Sequence, residues 1–268
     1  MTPDEDTPRA AFALLSWRVN LIVVVVLVAV SVLAWKSTID DANAMSRMAM
    51  GLGQIGSRFQ GSMSAAYFLT MWVTMMVAMM LPTVAPMVLA YLAVARRRGN
   101  GTLSTVAFVG GYLLIWSAIG VLPLLAYWAF AQLDDDAAQT RWLPTLAGTI
   151  LIVAGAYQFA GWKQRCLDKC QSPFAFVVTH DFGGGVTGAL RAGAAHGMYC
   201  LGCCWALMTV LVVVGLMNLL WMTALFLMFF VEKHWRHGLV LAKVAGVALM
   251  TLGAAVIARP ALLVLISQ

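Results

Sequence analysis

The chain has 268 residues, of which 62% are hydrophobic and 10% charged, and it carries a net charge of +6. Its mean hydropathy is +0.87. A soluble domain is about half apolar and about a quarter charged, so this composition excludes a soluble globular protein and calls for an integral membrane one. The lysines and arginines stand at the ends of apolar segments, as the positive-inside rule expects, and form no nucleic-acid footprint.

A bilayer core of roughly 30 Å needs about 20 apolar residues in helical form. In chain order the pattern predicts spans at 17–35, 67–95, 102–132, 142–162, 192–218, 219–231 and 239–258. The first lacks a small-residue cleavage site and reads as a retained helix rather than a signal peptide. The second is uncharged and interrupted by Pro82 and Pro86, the third contains Pro123, and the fourth starts beside Pro144, a common helix-start residue. The sixth is too short alone and must continue through Glu232, Lys233 and His234. The expectation is an all-α, polytopic transmembrane bundle of about seven helices, a single membrane domain over 1–268.

With the N-terminus inside, the inner side holds Arg9, Arg18, Arg96, Arg97, Arg98, Lys163, Arg165, Lys169, Arg191, Lys233 and Arg236. The outer side holds Lys36, Arg47, Arg58, Arg141 and Arg259. This bias favours an N-in, C-out orientation. The acidic run Asp134–Asp136 then falls outside and is neutral evidence. Two connections are long: an extracytoplasmic segment, 36–66, and a cytoplasmic, cysteine-containing segment, 163–191. Long loops are more often functional than short ones.

The run "HGMYCLGCCW" holds His196, Cys200, Cys203 and Cys204. At 100° per residue these four share a stripe roughly 100° wide. Thiolate and imidazole suit Cu(I), Zn(II) or iron–sulfur chemistry. Against this, cysteine is also a small buried residue, and the glycines and alanines around it suit close helix packing. A second cluster, "CLDKC", sets Cys166 and Cys170 one helical turn apart at the inner end of the fourth span. A structural disulfide is not expected in a reducing compartment, and Lys163, Arg165 and Lys169 are expected to favour thiolate there. All 5 cysteines belong to these two clusters.

The 17 methionines are a third signal. Met71, Met75 and Met79 form one stripe of the second span, with Met76 and Met80 beside it. A neutral thioether binds Cu(I) without a buried charge; it also fills irregular gaps in a core. Met45, Met48 and Met50 lie in a polar stretch, where soft-metal capture and an amphipathic surface helix are both open. His180, His234 and His237 map to the inner side with Asp181. Glu232 sits at a depth where an ionisable group is costly and usually paired. Because Lys233 points about 100° away from it, Lys243 on the next helix is the expected partner.

Five motifs together resemble a known family. They are "AMMLP" at 78–82, the K-x-x-C-L-x-x-C-x-x-P run at 163–173, "CLGCCWALM" within 197–208, G-x-M-N-L-x-W-M at 215–222, and the pair Glu232–Lys233. The third run is the specific one. The chain is similar over most of its length from Tyr67 onward to the bacterial family DUF2182 of predicted metal-binding integral membrane proteins, some of whose members are labelled copper chaperones. The resemblance implies a multi-pass protein of the bacterial inner (plasma) membrane whose metal residues are Cys166, Cys170, Cys200, Cys203 and Cys204. The residues themselves add His196, Met75 and Met79 as candidate ligands.

The resulting expectation is a membrane-embedded soft-metal protein handling copper as Cu(I), with zinc as the other metal, in transport or in delivery to a membrane metalloenzyme. Partners are the lipid bilayer and either that metalloenzyme or a second copy of the chain; nucleic acid is not one. No hydrolytic or nucleotide site is legible, since Gly183–Gly185 lacks a phosphate-loop context, and no catalytic role is expected. Two other readings stay open: a non-catalytic assembly subunit in which cysteine, methionine and glycine only pack helices, and a membrane thiol–disulfide redox protein. Poor disulfide geometry between cysteines four apart on one helix weighs against the latter.

Overall fold

A computed structural model of the chain describes residues 6–45, 64–97, 99, 101–131, 142–179, 184–216 and 218–266. Met48, Met50, the acidic run Asp134–Asp136, His180 and Asp181 lie outside the described residues. All regular structure among the described residues is helical: α1 (Asp6–Met45), α2 (Ala65–Arg97), α3 (Gly101–Ile119), α4 (Val121–Ala131), α5 (Trp142–Tyr157), α6 (Gly161–Gln171), α7 (Pro173–Thr179), α8 (Gly185–Val214), α9 (Leu219–His234), α10 (Gly238–Ala258) and α11 (Ala261–Ile266). The all-α membrane-type bundle expected from composition is therefore what the chain forms.

Five helices are long and apolar enough to cross a membrane by themselves: Arg18–Asn43, Ala65–Arg97, Gly101–Ala126, Gly185–Val214 and Gly238–Ala258. A sixth span results if α5 and α6, bent by 62° at their junction, count as one. The expected seven thus becomes five or six by length. The element that falls short is α9, which does run through Glu232, Lys233 and His234 as required but has 16 residues, or about 24 Å at 1.5 Å per residue.

The described parts of two expected loops are helical. Residues 36–45 continue α1, with Lys36 and Asp40 forming an exposed i, i+4 ion pair at 2.7 Å. Most of 163–191 folds as α6, α7 and the first turns of α8. Pro82 and Pro86 do not end α2, whose helix continues across both. Neighbouring helices in an apolar medium tolerate such breaks.

α8 is the central element. It packs against α3, α5, α6 and α9. Its contact with α3 is close because glycines meet backbone: a Cβ on Gly193 would meet the Phe108 carbonyl, and one on Gly111 would meet the Leu190 carbonyl. Small residues of this kind let membrane helices approach until their backbones touch. A second glycine seam joins α5 to α10, where Gly155 faces Gly246 and Gly148 faces Gly253. The buried core joins Met75, Met76, Met79 and Met80 of α2 and Phe108, Tyr112 and Trp116 of α3 to the α8 cysteines in one cluster.

Candidate metal centre

The α8 cysteines occupy positions i, i+3 and i+4, which share one helical face. That face points inward: Cys200, Cys203 and Cys204 are all buried. Their three sulfurs lie within 4.8 Å of one another, close enough to hold a single ion. The Cys203 and Cys204 thiols both turn back to the Cys200 carbonyl, at 3.0 and 2.8 Å. A helix face of soft donors is thereby gathered to a point.

Four other helices, α2, α3, α6 and α9, complete the surroundings. α6 brings Cys170 to within 4.0 Å of Cys203, sulfur to sulfur. It also seats Cys166 against Gly202, where a Cβ would lie 2.6 Å from the Cys166 sulfur. α3 supplies the Tyr112 hydroxyl, 3.2 Å from the Cys200 sulfur. α9 supplies Lys233, whose ammonium donates to the Cys200 sulfur and to the Thr83 hydroxyl, each at 3.1 Å. The Met80 sulfur lies 3.9 Å from the same nitrogen. All five cysteines are free thiols. Among the described residues, no carboxylate belongs to this donor group, so the set is sulfur-rich and enclosed. That combination fits a soft monovalent or borderline divalent ion and not a hard one.

Sequence reasoning placed the charges incorrectly in two respects. Glu232 pairs with Lys163 rather than with Lys243, at 2.5 Å and with both groups buried. The reason is the bend after α5: it turns α6 back onto the bundle, so Lys163 enters the interior instead of ending a span at the membrane surface. Lys163 is consumed by this pair and by Gln158. The cation beside the thiols is Lys233, while Arg165 is exposed and Lys169 half-exposed.

The remaining candidates fall into two groups. His196, one turn before Cys200, is buried among the rings of Phe108, Tyr112 and Phe176, with centroids 6.2, 6.0 and 5.3 Å away. Its Nδ1 has no hydrogen-bond partner among the described residues, and it stands outside the group of three converging sulfurs. Met75 and Met79 are fully buried in the apolar core around the thiols. The methionine that reaches the polar contacts of the centre is Met80.

The residues that sequence reasoning missed are Lys233, Tyr112 and Thr83. A signal for Lys233 was present, since Glu232 and Lys233 are consecutive ionisable residues in an apolar helix. Each such group in a membrane calls for its own partner. For Tyr112 and Thr83 nothing in the local pattern separated them from packing residues.

Helices long and apolar enough to cross a membrane, with three buried cysteine sulfurs that could hold one metal ion, are what a metal-binding membrane protein requires. The PpoB2 copper chaperone family matches residues 69–256, well over half of the chain, and the chain belongs to that family. This agrees with the copper-chaperone resemblance carried by the motifs. No curated protein and no solved structure matches the chain.

Proposed function

We propose that the protein is a membrane copper carrier that takes Cu(I) onto the α8 thiols and hands it to a metalloenzyme of the same membrane, the bacterial inner membrane. The observation that carries this reading is the convergence of Cys200, Cys203 and Cys204 inside a chain of a copper chaperone family. Cu(I) is stable with two or three soft ligands, so it can pass between neighbouring thiols by exchanging one bond at a time. Cys170 is the half-buried member of the set and adjoins Cys203. It is the thiol from which an ion would pass between a partner and the interior. Lys233 supplies a positive charge beside sulfurs that become anionic when they bind metal, which lowers the cost of holding an anionic complex in an apolar interior.

The test is copper content per purified molecule. Wild type is expected to hold Cu(I), with Cys200→Ser and Cys203→Ser retaining less than half as much. Cys170→Ser is expected to keep the content and slow loading from a soluble Cu(I) donor. Equal and negligible copper in wild type and all variants would end the proposal, and zinc retained in preference to copper would reassign the metal.

One observation favours a second reading, thiol–disulfide exchange. Cys170 and Cys203 come from different helices with sulfurs 4.0 Å apart, which escapes the geometric objection to pairs on one helix. That reading expects metal-free protein whose thiol count falls by two on mild oxidation and is restored by a dithiol reductant.

A further inference from the structure

We propose that the buried Lys163–Glu232 ion pair is a positioning latch: it sets the register of α6 on the bundle, and so the distance between Cys170 and the α8 thiols. The inference rests on the metal-centre reading for its purpose, but the latch itself is a geometric statement about the metal-free chain.

The sequence of α6, "GWKQRCLDKCQ", is too polar to place itself. Its buried residues are Lys163, Cys166 and Leu167, so a single leucine is the only large apolar side chain it seats. An apolar stripe normally fixes the rotation of a helix by filling grooves on its neighbour. Here directional contacts take over that role, and they converge on one residue of α9. At the start of α6, Lys163 meets the Glu232 carboxylate at 2.5 Å. At its end, Gln171 donates to the Glu232 carbonyl at 2.7 Å and more weakly to the Trp235 carbonyl at 3.4 Å. Cys166 and Cys170 lie between these two attachments.

The same lysine also ties down the bend. Lys163 donates to Gln158, and Gln158 donates back to the Ala154 carbonyl at 2.9 Å. Residues 158–160 form the break where the chain turns by 62°. One ammonium therefore bridges the break that follows α5, the first turn of α6 and the last turn of α9. Gly238 leaves room for this junction, because a Cβ there would meet the Glu232 carbonyl and come within 3.0 Å of the Gln171 amide.

An ion pair is a poor source of stability in such a place. An apolar pair of similar volume is often as stable or more so, and setting a register is the best-attested use of a buried polar contact. A hydrophobic replacement would tolerate sliding, whereas the Lys163 ammonium and the Glu232 carboxylate keep their ion-pair contact in a narrow range of arrangements. With the thiols of α6 and α8 separated by a gap one ion must bridge, sliding by part of a turn would remove Cys170 from reach.

The experiment reads that distance without metal. Metal-free protein is treated with diamide, which oxidises two neighbouring thiols to a disulfide and is itself reduced to the hydrazine. The Cys170–Cys203 disulfide peptide is then followed by mass spectrometry. Glu232→Gln and Lys163→Met are expected to slow its formation by about tenfold or more, because close reaction partners lose rate steeply with misplacement. The charge swap Lys163→Glu with Glu232→Lys is expected to restore it. The apolar pair Lys163→Met with Glu232→Met removes the charges without leaving one unpaired, so it folds and yet crosslinks slowly. Wild-type crosslinking rates in the apolar pair, or in both single variants, would overturn the latch. A chain that crosslinks as expected but binds no Cu(I) would leave the latch standing and remove the copper reading.

Discussion

Gly202 decides whether the two cysteine helices can touch. Its carbonyl accepts from the Tyr157 hydroxyl at 2.6 Å, and its missing side chain admits the Cys166 sulfur. A methyl group there would sit 2.6 Å from that sulfur, too close for any real contact. Gly202→Ala is therefore expected to push α6 outward, destabilise the protein by about 1–3 kcal/mol as over-packing does, and reduce copper retention. Thermal unfolding in detergent and copper content of the same preparation check both parts. A neutral effect on both would show that α6 moves aside freely. At this scale the α8 donors were legible, because 200, 203 and 204 repeat at the helical period and one face must point inward. Lys233 was not. Its angle relative to Glu232 was read correctly, but an angle on one helix says nothing of which neighbour fills that direction. The partner of Glu232 depends on how α6 folds back and those of Lys233 on how α2 and α8 meet α9, and both are set by contacts distant in sequence.

Among whole elements, α5 and α10 show how glycine sets the bundle. A Cβ on Gly155 would lie 2.5 Å from the Gly246 carbonyl and 2.7 Å from the Met250 side chain. The matching pair, Gly148 and Gly253, lies two turns away on each helix, so the seam runs antiparallel along both. In lipid there is no hydrophobic gain from burying leucine between helices, and close backbone packing does the holding. Gly253→Leu is expected to separate the two helices and lower the unfolding temperature in detergent by several degrees, corresponding to about 1–3 kcal/mol. The copper content of the folded fraction should change little, because this end of the seam meets Gly148 and Ile152 and not Gln158 at the bend. Loss of copper at unchanged stability would contradict this division. The helices themselves were largely readable from apolar length; the bend at 158–160 was not. Residues 142–162 read as one continuous span, and the polar run that follows read as a loop. Its helical form comes from docking onto α8 and α9, which supply hydrogen-bond partners that a solvent-exposed loop would find in water.

For the molecule as a whole, the relative directions of the helices bear on how many times the chain would cross a membrane. Along α3 and α8 the contacts advance together, from Phe108 with Gly193 to Tyr112 with Cys200, so these two run parallel. α8 and α9 run antiparallel: Lys233 meets Cys200, and each lies 14 residues from the Val214 and Leu219 ends that flank their short connection. That is about 21 Å along each helix. α5 runs antiparallel to α10, as the glycine pairs require. If α9 did not reverse the chain, α10 would start from the side where α8 ends and would run parallel to α5. It does not, so in a membrane α9 is expected to act as a pass although it is short, and the bent α5–α6 pair as another. With α1, α2, α3, α8 and α10 this predicts an odd number of crossings, with the two termini on opposite sides. A fluorescent protein that matures only in the cytoplasm is expected to be bright at the N-terminus. Alkaline phosphatase, active only outside, is expected to be active at the C-terminus. Both reporters giving the same side would mean that α9 turns back within the membrane, and the α8 thiols would then have to be reached by a different route.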